Sequence, residues 1–218
     1  RRINKISIMK LSKDGQTVIG DKTKLNCDCL GVSGGWTPAV HLFTQSGGKL
    51  KFREEDQVFI PNVYPSDQIS VGSCNGDFGL EEIISNTLSS IKKFLDIDNS
   101  EYKTVETISG LNQSKRNIWL LPSDKSIGKT KSFVDYQNDA TAKDIKLALR
   151  EGFRSIEHVK RYTTTGMGTD QGKLGNMHAL GIISETAGTK MGEHGTTTFR
   201  PPYTCLLYTS DAADDDHC

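Results

Sequence analysis

The residues best suited to chemistry form a glycine-rich turn in the first half of the chain. In Ile69–Gly76, a short apolar run is followed by two glycines among small polar residues, and an amphipathic stretch from Leu80 to Phe94 comes next. We expect a strand, a turn and a helix in that order. Because the N–H groups and the dipole of a helix N-terminus attract anions, this order is typical of a phosphate or nucleotide site, although many α/β proteins contain it without a ligand.

A second glycine pair follows the strand-like segment Leu25–Ser33. Gly34 and Gly35 carry no side chain, so the backbone there can approach a bound molecule closely. A tight turn without any ligand has the same composition. The local sequence leaves both interpretations open.

Histidines and cysteines do not form a recognisable catalytic or metal motif. Cys27 and Cys29 lie two residues apart on the predicted strand and share a face, so we expect buried thiols, as we do for Cys74. No pair of histidines has H-x-x-x-H spacing; His41, which follows the Gly-Gly-Trp turn, is in reach of a cofactor but is better explained as a packed or surface residue. We therefore predict no catalytic residue and no metal ligand in this chain.

Composition excludes several classes of partner. The chain has 27 lysine and arginine residues and 27 aspartate and glutamate residues, so no charge excess points to nucleic acid or an anionic membrane. No apolar run approaches the roughly 18 residues of a membrane span, and no signal peptide is recognisable. We expect a cytoplasmic protein, and the absence of an initiator methionine indicates that it begins within a longer gene.

The elements that position these residues follow from periodicity and turn chemistry. Ile3–Leu11 and Thr17–Ile19 flank a Lys-Asp-Gly-Gln turn and predict a hairpin. Asp96–Lys131 is polar and irregular, which is typical of a connection between domains. Within it, the apolar run Ile118–Pro122 predicts a short strand that packs on a neighbouring domain.

A compact helical module is predicted after the connection. Thr141 and Asp144 have the spacing of a capping box, and Gly152 is placed to end the helix that they begin. Ser155 can cap a second short helix, with Glu157 in its first turn. We expect a third helix that Thr169 or Asp170 caps and that ends near Gly188, followed by an extended segment with two prolines.

This module resembles the small helical domain that holds a two-iron cluster beside flavin-dependent amine dehydrogenases. The likeness lies in the second helix, the Gly-Met-Gly loop and the Asp-Gln-Gly run that follows it. The four positions that hold the cluster in such domains correspond to Asp135, Gln137, Asp170 and Gly175. Since clusters of this kind are held by thiolates, the resemblance implies a frame without an iron–sulfur cluster.

A closer resemblance covers most of the chain. FVDYQNDATAKDI, EGFRSIEHVKRYTTTGMGTDQGK and GTTTFRPPYT resemble the alpha subunit of heterotetrameric sarcosine oxidase. The resemblance implies an oxidoreductase fragment that is inactive alone and belongs to an enzyme for oxidative demethylation of sarcosine to glycine, with formation of hydrogen peroxide and methylene-tetrahydrofolate. It also implies beta, gamma and delta subunits as partners, FAD and FMN mainly on the partner subunit, and tetrahydrofolate on a further domain.

CDCLGVSGGWTPAVHL and SVGSCNGDFGL resemble the closing part of a two-dinucleotide-binding flavoprotein domain. Ser73 stands where those domains have an aspartate that bonds the flavin. The sarcosine oxidase alpha family is similar in lacking this aspartate, and its site holds NAD. The G-x-G-x-x-G phosphate fingerprint would lie upstream of Arg1, so this chain is expected to contribute one wall of the NAD site. The implied cofactor-binding residues are Gly72, Ser73, Gly76, Phe78, Leu80, Gly34 and Gly35.

The resemblance implies an α/β domain followed by a small α domain. Residues 1–95 would be the C-terminal part of the nucleotide-binding domain, 96–131 the connection, 132–190 the helical module and 191–204 an extended lead into a folate-binding domain. Residues 205–218 do not resemble the family and can be back-translated into a transposase end sequence, so we expect a non-native tail.

Two other functions are consistent with the same residues. The helical module can be a non-enzymatic interaction domain with a protein partner. The chain can also belong to a sister amine or amino-acid dehydrogenase, because residues that choose the N-methyl amine would lie in another subunit.

Overall fold

The structure is a computed structural model that describes residues 2–65, 67–97 and 117–201. Within these ranges the strands form three separate antiparallel pairs, and helices outweigh strands in the second half. Most of the predicted connection and the whole predicted tail lie outside the described residues. The mixed helix and sheet content agrees with the predicted α/β and α composition.

The predicted N-terminal hairpin is confirmed. Strands β1 (Lys5–Leu11) and β2 (Val18–Asn26) pair antiparallel with a register shift between Ile8 and Lys10. The turn is closed by side chains, since the Thr17 backbone N–H donates to the Ser12 hydroxyl over 3.0 Å. Turn residues with short polar side chains satisfy the backbone in this way.

The predicted strand Leu25–Ser33 is wrong beyond Asn26. The last ladder-like hydrogen bond runs from the Cys27 N–H to the Asn4 carbonyl over 3.2 Å, and the chain is irregular from there to Val40. Because β1 begins at Lys5, the residues after Cys27 have no strand to pair with. The prediction of buried thiols is wrong as well, since Cys29 is exposed and Cys27 and Cys74 are half-buried.

A second hairpin was not predicted from the sequence. It follows helix α1 (His41–Gln45) and consists of β3 (Lys49–Arg53) and β4 (Val58–Val63). The β4 residues Val58, Phe59 and Ile60 are buried. This hairpin packs on the helical module, so the module and the glycine-rich turn are both tied to it.

The helix predicted after the glycine-rich turn is confirmed as α2 (Leu80–Leu95). Glu81 and Glu82 lie in its first turn and Lys92 and Lys93 in its last, as the helix dipole favours. The strand predicted for Ile69–Val71 is wrong, because this segment is irregular and leads directly into a short 3₁₀ helix, Gly72–Asn75.

The helical module contains the three predicted helices, and their boundaries agree with the prediction except for the start of the third. A small strand pair, β5 (Phe133–Asp135) and β6 (Ala140–Thr141), precedes three helices that end at or just before glycines or polar caps. Gly152 has φ +99° after the first helix, and Gly188 has φ +68° after the third, conformations that favour glycine. The helices are α3 (Ala142–Arg150), α4 (Ile156–Thr163), α5 (Asn176–Ala187) and a last turn α6 (Met191–His194).

Two details of the module differ from the sequence prediction. Helix α5 begins after Gly175, because the Asp170 carboxylate accepts hydrogen bonds from the Gly172 and Leu174 N–H groups in a turn instead of capping a helix. The segment Ile118–Pro122 forms no strand. Trp119 instead packs over Gly181 of α5, where an added Cβ would lie 2.1 Å from its ring.

One hydrophobic core joins α3, α4 and α5 to the second hairpin. Helical spacing directs Ile145, Val159 and Leu180 toward each other, and Phe59 of β4 and Met191 of α6 complete the cluster. The fully buried side chains with the largest volume are Ile145, Leu180, Ile182, Ile183 and Val159.

The capping box of α3 supplies a first testable prediction. The Asp144 carboxylate accepts hydrogen bonds from the Thr141 N–H over 2.9 Å and from its hydroxyl over 2.6 Å. Asp144→Ala is expected to lower the free energy of unfolding by about 1 kcal/mol, because a cap and a favourable charge are lost. Urea unfolding followed by circular dichroism measures this, with Lys143→Ala as the exposed neighbouring control. Equal midpoints for the two variants would contradict the role of Asp144.

None of the helices in the described ranges has the length and apolar character that crossing a membrane requires.

Candidate functional site

The glycine-rich turn lies between the β3–β4 hairpin and the N-terminus of α2. Gly72 and Gly76 both have positive φ, +66° and +88°. A Cβ at Gly76 would lie 2.8 Å from Arg53 Nη2 and 2.8 Å from Ile60 Cγ2, so a side chain has no room there. These glycines shape the turn by letting it pack closely on the protein itself.

The other predicted cofactor-binding residues of the turn face outward to different degrees. Ser73 and Leu80 are exposed, with 59% of Leu80 accessible, and Phe78 is half-buried. An exposed hydroxyl therefore lies in the turn before α2, and an exposed apolar side chain lies on the first residue of α2. The assignment of these residues to a cofactor stays a prediction.

Gly34 and Gly35 lie apart from that turn along the fold. A Cβ at Gly34 would lie 3.6 Å from the ring of His178 on α5, which in turn packs edge-on against Trp119 with centroids 5.9 Å apart. Gly35 is exposed and has φ +109°. No described contact joins the Gly-Gly pair to Gly72–Leu80, so their role in the same site also stays a prediction.

Arg53 and Asp56, which were not predicted as site residues, hold the turn in place. Arg53 at the end of β3 donates to Asp56 Oδ1 over 2.7 Å and to the Gly76 carbonyl over 2.7 Å. Asp77 follows directly and is only 8% exposed. The hydrogen bond to Asp56 raises the pKa of Arg53 above its usual value, and the nearby Asp77 carboxylate adds to this effect. The sequence Arg-Glu-Glu-Asp could have indicated this ion pair, because it puts Asp56 three residues after Arg53.

His41 is packed, as predicted, and does not reach an open site. It is 8% exposed and lies edge-on to Phe199, with ring centroids 4.3 Å apart. Burial, together with the charge of Lys173, lowers the pKa of His41 from 6.5 to about 4. The adjoining cavity measures about 30 Å³, which is enough for a water molecule or two and far too small for a cofactor.

A larger cleft of about 270 Å³ lies between the turn of the first hairpin and the segment after Asn117. Lys146 of α3 and Glu185 of α5 are among its lining residues. Burial raises the pKa of Glu185, and the charge of Lys146 opposes that shift. The lining holds no pair of side chains with the arrangement of a nucleophile and its base.

The loop that corresponds to the cluster-binding region is organised by Asp135. Its carboxylate accepts hydrogen bonds from the backbone N–H groups of Gln137, Asn138 and Gly166, over 2.8, 2.9 and 2.7 Å. Burial alone would raise the pKa of Asp135, but these bonds lower it below the ordinary value. Asn138 extends the network by donating to the Thr164 carbonyl over 3.2 Å.

The four positions that hold a cluster in the similar domains lie around this loop. Gln137 donates to the Thr169 hydroxyl over 3.0 Å, and Asp170 is occupied by backbone N–H groups of its own turn. No group of three or more histidine, cysteine, aspartate or glutamate side chains suited to a metal occurs in the described ranges. Asp135 and Gln137 make hydrogen bonds that join the loop after β5 to the loop after α4, and Asp170 makes hydrogen bonds within its own turn.

Gly175 gives a second testable prediction. A Cβ there would lie 2.5 Å from the Val134 carbonyl oxygen, a backbone atom that cannot rotate away. Gly175→Ala is therefore expected to cost about 1–3 kcal/mol of stability through overpacking. Thermal unfolding compares it with Gly128→Ala, whose Cβ would meet nothing within 4 Å and should be nearly neutral. If Gly175→Ala unfolds at the same temperature as wild type, the close approach to Val134 is contradicted.

Comparisons with known proteins agree with the resemblance in the sequence. The family model for the sarcosine oxidase A3 domain matches residues 129–214, which include the first part of the predicted tail. The sarcosine oxidase subunit alpha of Rhizobium meliloti (strain 1021) is 37% identical over 187 residues, covering 83% of this chain and 18% of that protein. The subunit from Corynebacterium sp. (strain P-1) is 31% identical over 217 residues, covering 94% of this chain and 22% of that protein.

A solved structure, L-proline dehydrogenase from P. horikoshii, matches with a TM-score of 0.57 and 21% identity, over 87% of this chain and 40% of that one. This likeness concerns the fold. The chain spans about a fifth of the length of the curated relatives that it matches. On the sequence matches, the chain belongs to the family of sarcosine oxidase alpha subunits.

Proposed function

We propose that this chain is part of the alpha subunit of an enzyme that oxidatively demethylates sarcosine to glycine. Oxygen is reduced to hydrogen peroxide, and the methyl carbon passes to tetrahydrofolate as methylene-tetrahydrofolate. The observation that carries the proposal is the sequence match over 83–94% of the chain to alpha subunits of sarcosine oxidase. Because those proteins are about five times longer, we assign the chemistry to the whole enzyme and expect this chain alone to be inactive.

The part of this chain in the enzyme is one wall of an NAD site. The residues present fit that role at the turn before α2, where the exposed Ser73 precedes the N–H groups of a 16-residue helix and the exposed Leu80 is the first residue of that helix. Gly72 and Gly76 let the turn pack tightly underneath them. When bound, the nicotinamide dinucleotide supplies a carrier for hydride. This chain contributes binding and orientation, and no described residue forms a catalytic pair.

The domain boundaries predicted from the sequence belong to the same proposal. Residues 1–95 are the end of a two-dinucleotide-binding domain, and 132–190 are a module that has kept the frame of a cluster-binding domain without its cysteines. FAD and FMN bind mainly on the partner subunit, tetrahydrofolate binds on a further domain, and beta, gamma and delta subunits complete the assembly. The three relatives are alpha subunits, which supports the presence of partner subunits.

Assay of the longer protein that contains this chain tests the proposal. Its gene should encode a G-x-G-x-x-G fingerprint upstream and a folate-binding domain downstream. The longer protein, purified with its partner subunits, should form hydrogen peroxide from oxygen when sarcosine is supplied, and it should bind NAD. Oxidation of proline with reduction of an artificial electron acceptor, and no oxidation of sarcosine, would support the alternative of a sister amino-acid dehydrogenase. A natural gene that encodes only these residues and shows neither activity would overturn the enzymatic function and leave an interaction module.

A further inference from the structure

Arg53 connects the second hairpin to the glycine-rich turn. It is the last residue of β3, and it lies 23 positions before its main-chain acceptor, the Gly76 carbonyl. Its Nε donates to Asp56 Oδ1 over 2.7 Å, and its Nη2 reaches both the second oxygen of Asp56 and the Gly76 carbonyl. The planar guanidinium is thus fixed by Asp56 on one side and presents a donor to the turn on the other.

The turn is shaped to receive that guanidinium. Gly76 has φ +88°, and its Hα side faces Arg53 Nη2 and Ile60 Cγ2 so closely that any side chain would displace them. The Gly76 and Asp77 N–H groups bond back to the Ser73 and Gly72 carbonyls over 3.1 and 3.3 Å. Arg53 therefore adds a shorter hydrogen bond, 2.7 Å to the Gly76 carbonyl, to the two longer ones within the turn.

Asp77 shows that the turn needs a positive charge nearby. Its side chain is 8% exposed, and its Oδ2 is buried without a hydrogen-bond partner among the described residues. A buried carboxylate without a compensating charge is strongly unfavourable. The Arg53 guanidinium interacts electrostatically with the Asp77 carboxylate. The same side chain thus serves the Gly76 carbonyl and the charge of Asp77.

We propose that Arg53 is the positioning residue of the turn Gly72–Asp77, and that it thereby sets where Ser73 and the N-terminus of α2 face a bound dinucleotide. The identity of the ligand rests on the proposed function, whereas the role of Arg53 in holding the turn does not. The turn carries no buried apolar side chain of its own, and α2 has no buried residue, so few apolar contacts hold either one. Arg53, at the end of β3, ties the turn to the hairpin through its hydrogen bond to the Gly76 carbonyl.

Hydrogen exchange of this chain, without any ligand, tests the geometry. Arg53→Ala is expected to raise the exchange rates of the Gly76 and Asp77 amides by about tenfold, because one charge-assisted hydrogen bond to the turn is lost. Arg53→Lys should raise the exchange rates of these two amides as well. A lysine ammonium cannot bind both oxygens of Asp56 and donate to the Gly76 carbonyl at the same time. Lys51→Ala removes an exposed cation from the same strand and should leave these rates unchanged. Amides of α3 and α5 report whether each variant is folded.

Titration of the same variants with NAD tests the consequence for the ligand. Wild type and Lys51→Ala should bind with equal affinity, and Arg53→Ala and Arg53→Lys about tenfold more weakly. Unchanged exchange at Gly76 and Asp77 in both Arg53 variants would overturn the proposal, as would raised exchange with undiminished NAD affinity. If wild type itself does not bind NAD, the proposed function fails at this site, and the exchange rates still decide whether Arg53 holds the turn.

Discussion

Asp135→Ala is expected to lower the free energy of unfolding by about 3 kcal/mol, because it leaves buried backbone donors without an acceptor. The carboxylate is 6% exposed and accepts from three N–H groups, one of which belongs to Gly166, 31 residues away. Its loss would separate the loop after β5 from the loop after α4. Urea unfolding at pH 7 measures the effect, with Asp21→Ala on the exposed strand β2 as the control.

The same hydrogen bonds make the free energy of unfolding depend on pH in the acid range. The pKa of Asp135 is lower in the folded chain than in the unfolded chain, so its contribution is present above the ordinary carboxyl pKa of about 3.9 and is lost as the pH falls through the folded value. Asp135→Asn keeps one acceptor oxygen but cannot ionise, so its stability should vary less with pH below about 5. A wild-type protein and an Asp135→Asn variant with parallel pH profiles would contradict the ionised network.

His41 is expected to make the chain less stable as the pH falls from about 6.5 toward 4, by up to about 3 kcal/mol. Its pKa is about 4 in the folded chain and near 6.5 when unfolded, so over this interval the unfolded chain binds the extra proton. Burial causes most of the shift, and the Lys173 charge adds to it. The full stability contribution is therefore present above pH 6.5.

Unfolding free energies at pH 7 and pH 4.5 measure the His41 effect. His41→Gln should show a smaller loss between the two pH values than wild type, while His158→Gln, which changes an exposed histidine, should show the wild-type loss. His178 will leave part of the dependence in every variant, because burial lowers its pKa as well. Equal losses in wild type and His41→Gln would show that His41 is not buried in its neutral form.

Local sequence signals predicted the helical module and α2 well. Thr141 and Asp144 mark the start of α3, and Gly152 and Gly188 mark helix ends, because caps and positive φ depend on neighbouring residues only. The predicted strands at Leu25–Ser33 and Ile69–Val71 failed for the opposite reason. A strand requires a partner, and neither residues 27–33 nor Ile69–Val71 have a partner strand among the described residues.

The candidate site was only partly predictable for the same physical reason. The turn and the start of α2 were visible in the glycine spacing, but the contact from Arg53 to Gly76 joins residues 23 positions apart. The resemblance to a cluster-binding domain picked out four positions that have no cysteine here, but it did not indicate that Asp135 accepts a hydrogen bond from Gly166 in a distant loop. Such contacts depend on how the hairpins and helices pack, which periodicity does not encode.

Titration of this chain with NAD, followed by backbone amide chemical shifts, tests the central claim most directly. This measurement detects NAD binding with a Kd of about 1 mM, a value suited to one wall of a dinucleotide site. We predict saturable shifts at Gly72, Ser73, Gly76, Phe78 and Leu80, with none in α3, α4 or α5. An absence of shifts at these five residues up to about 10 mM NAD, a range that detects binding free energies of about −3 kcal/mol or more favourable, would contradict the assignment of the turn to the cofactor.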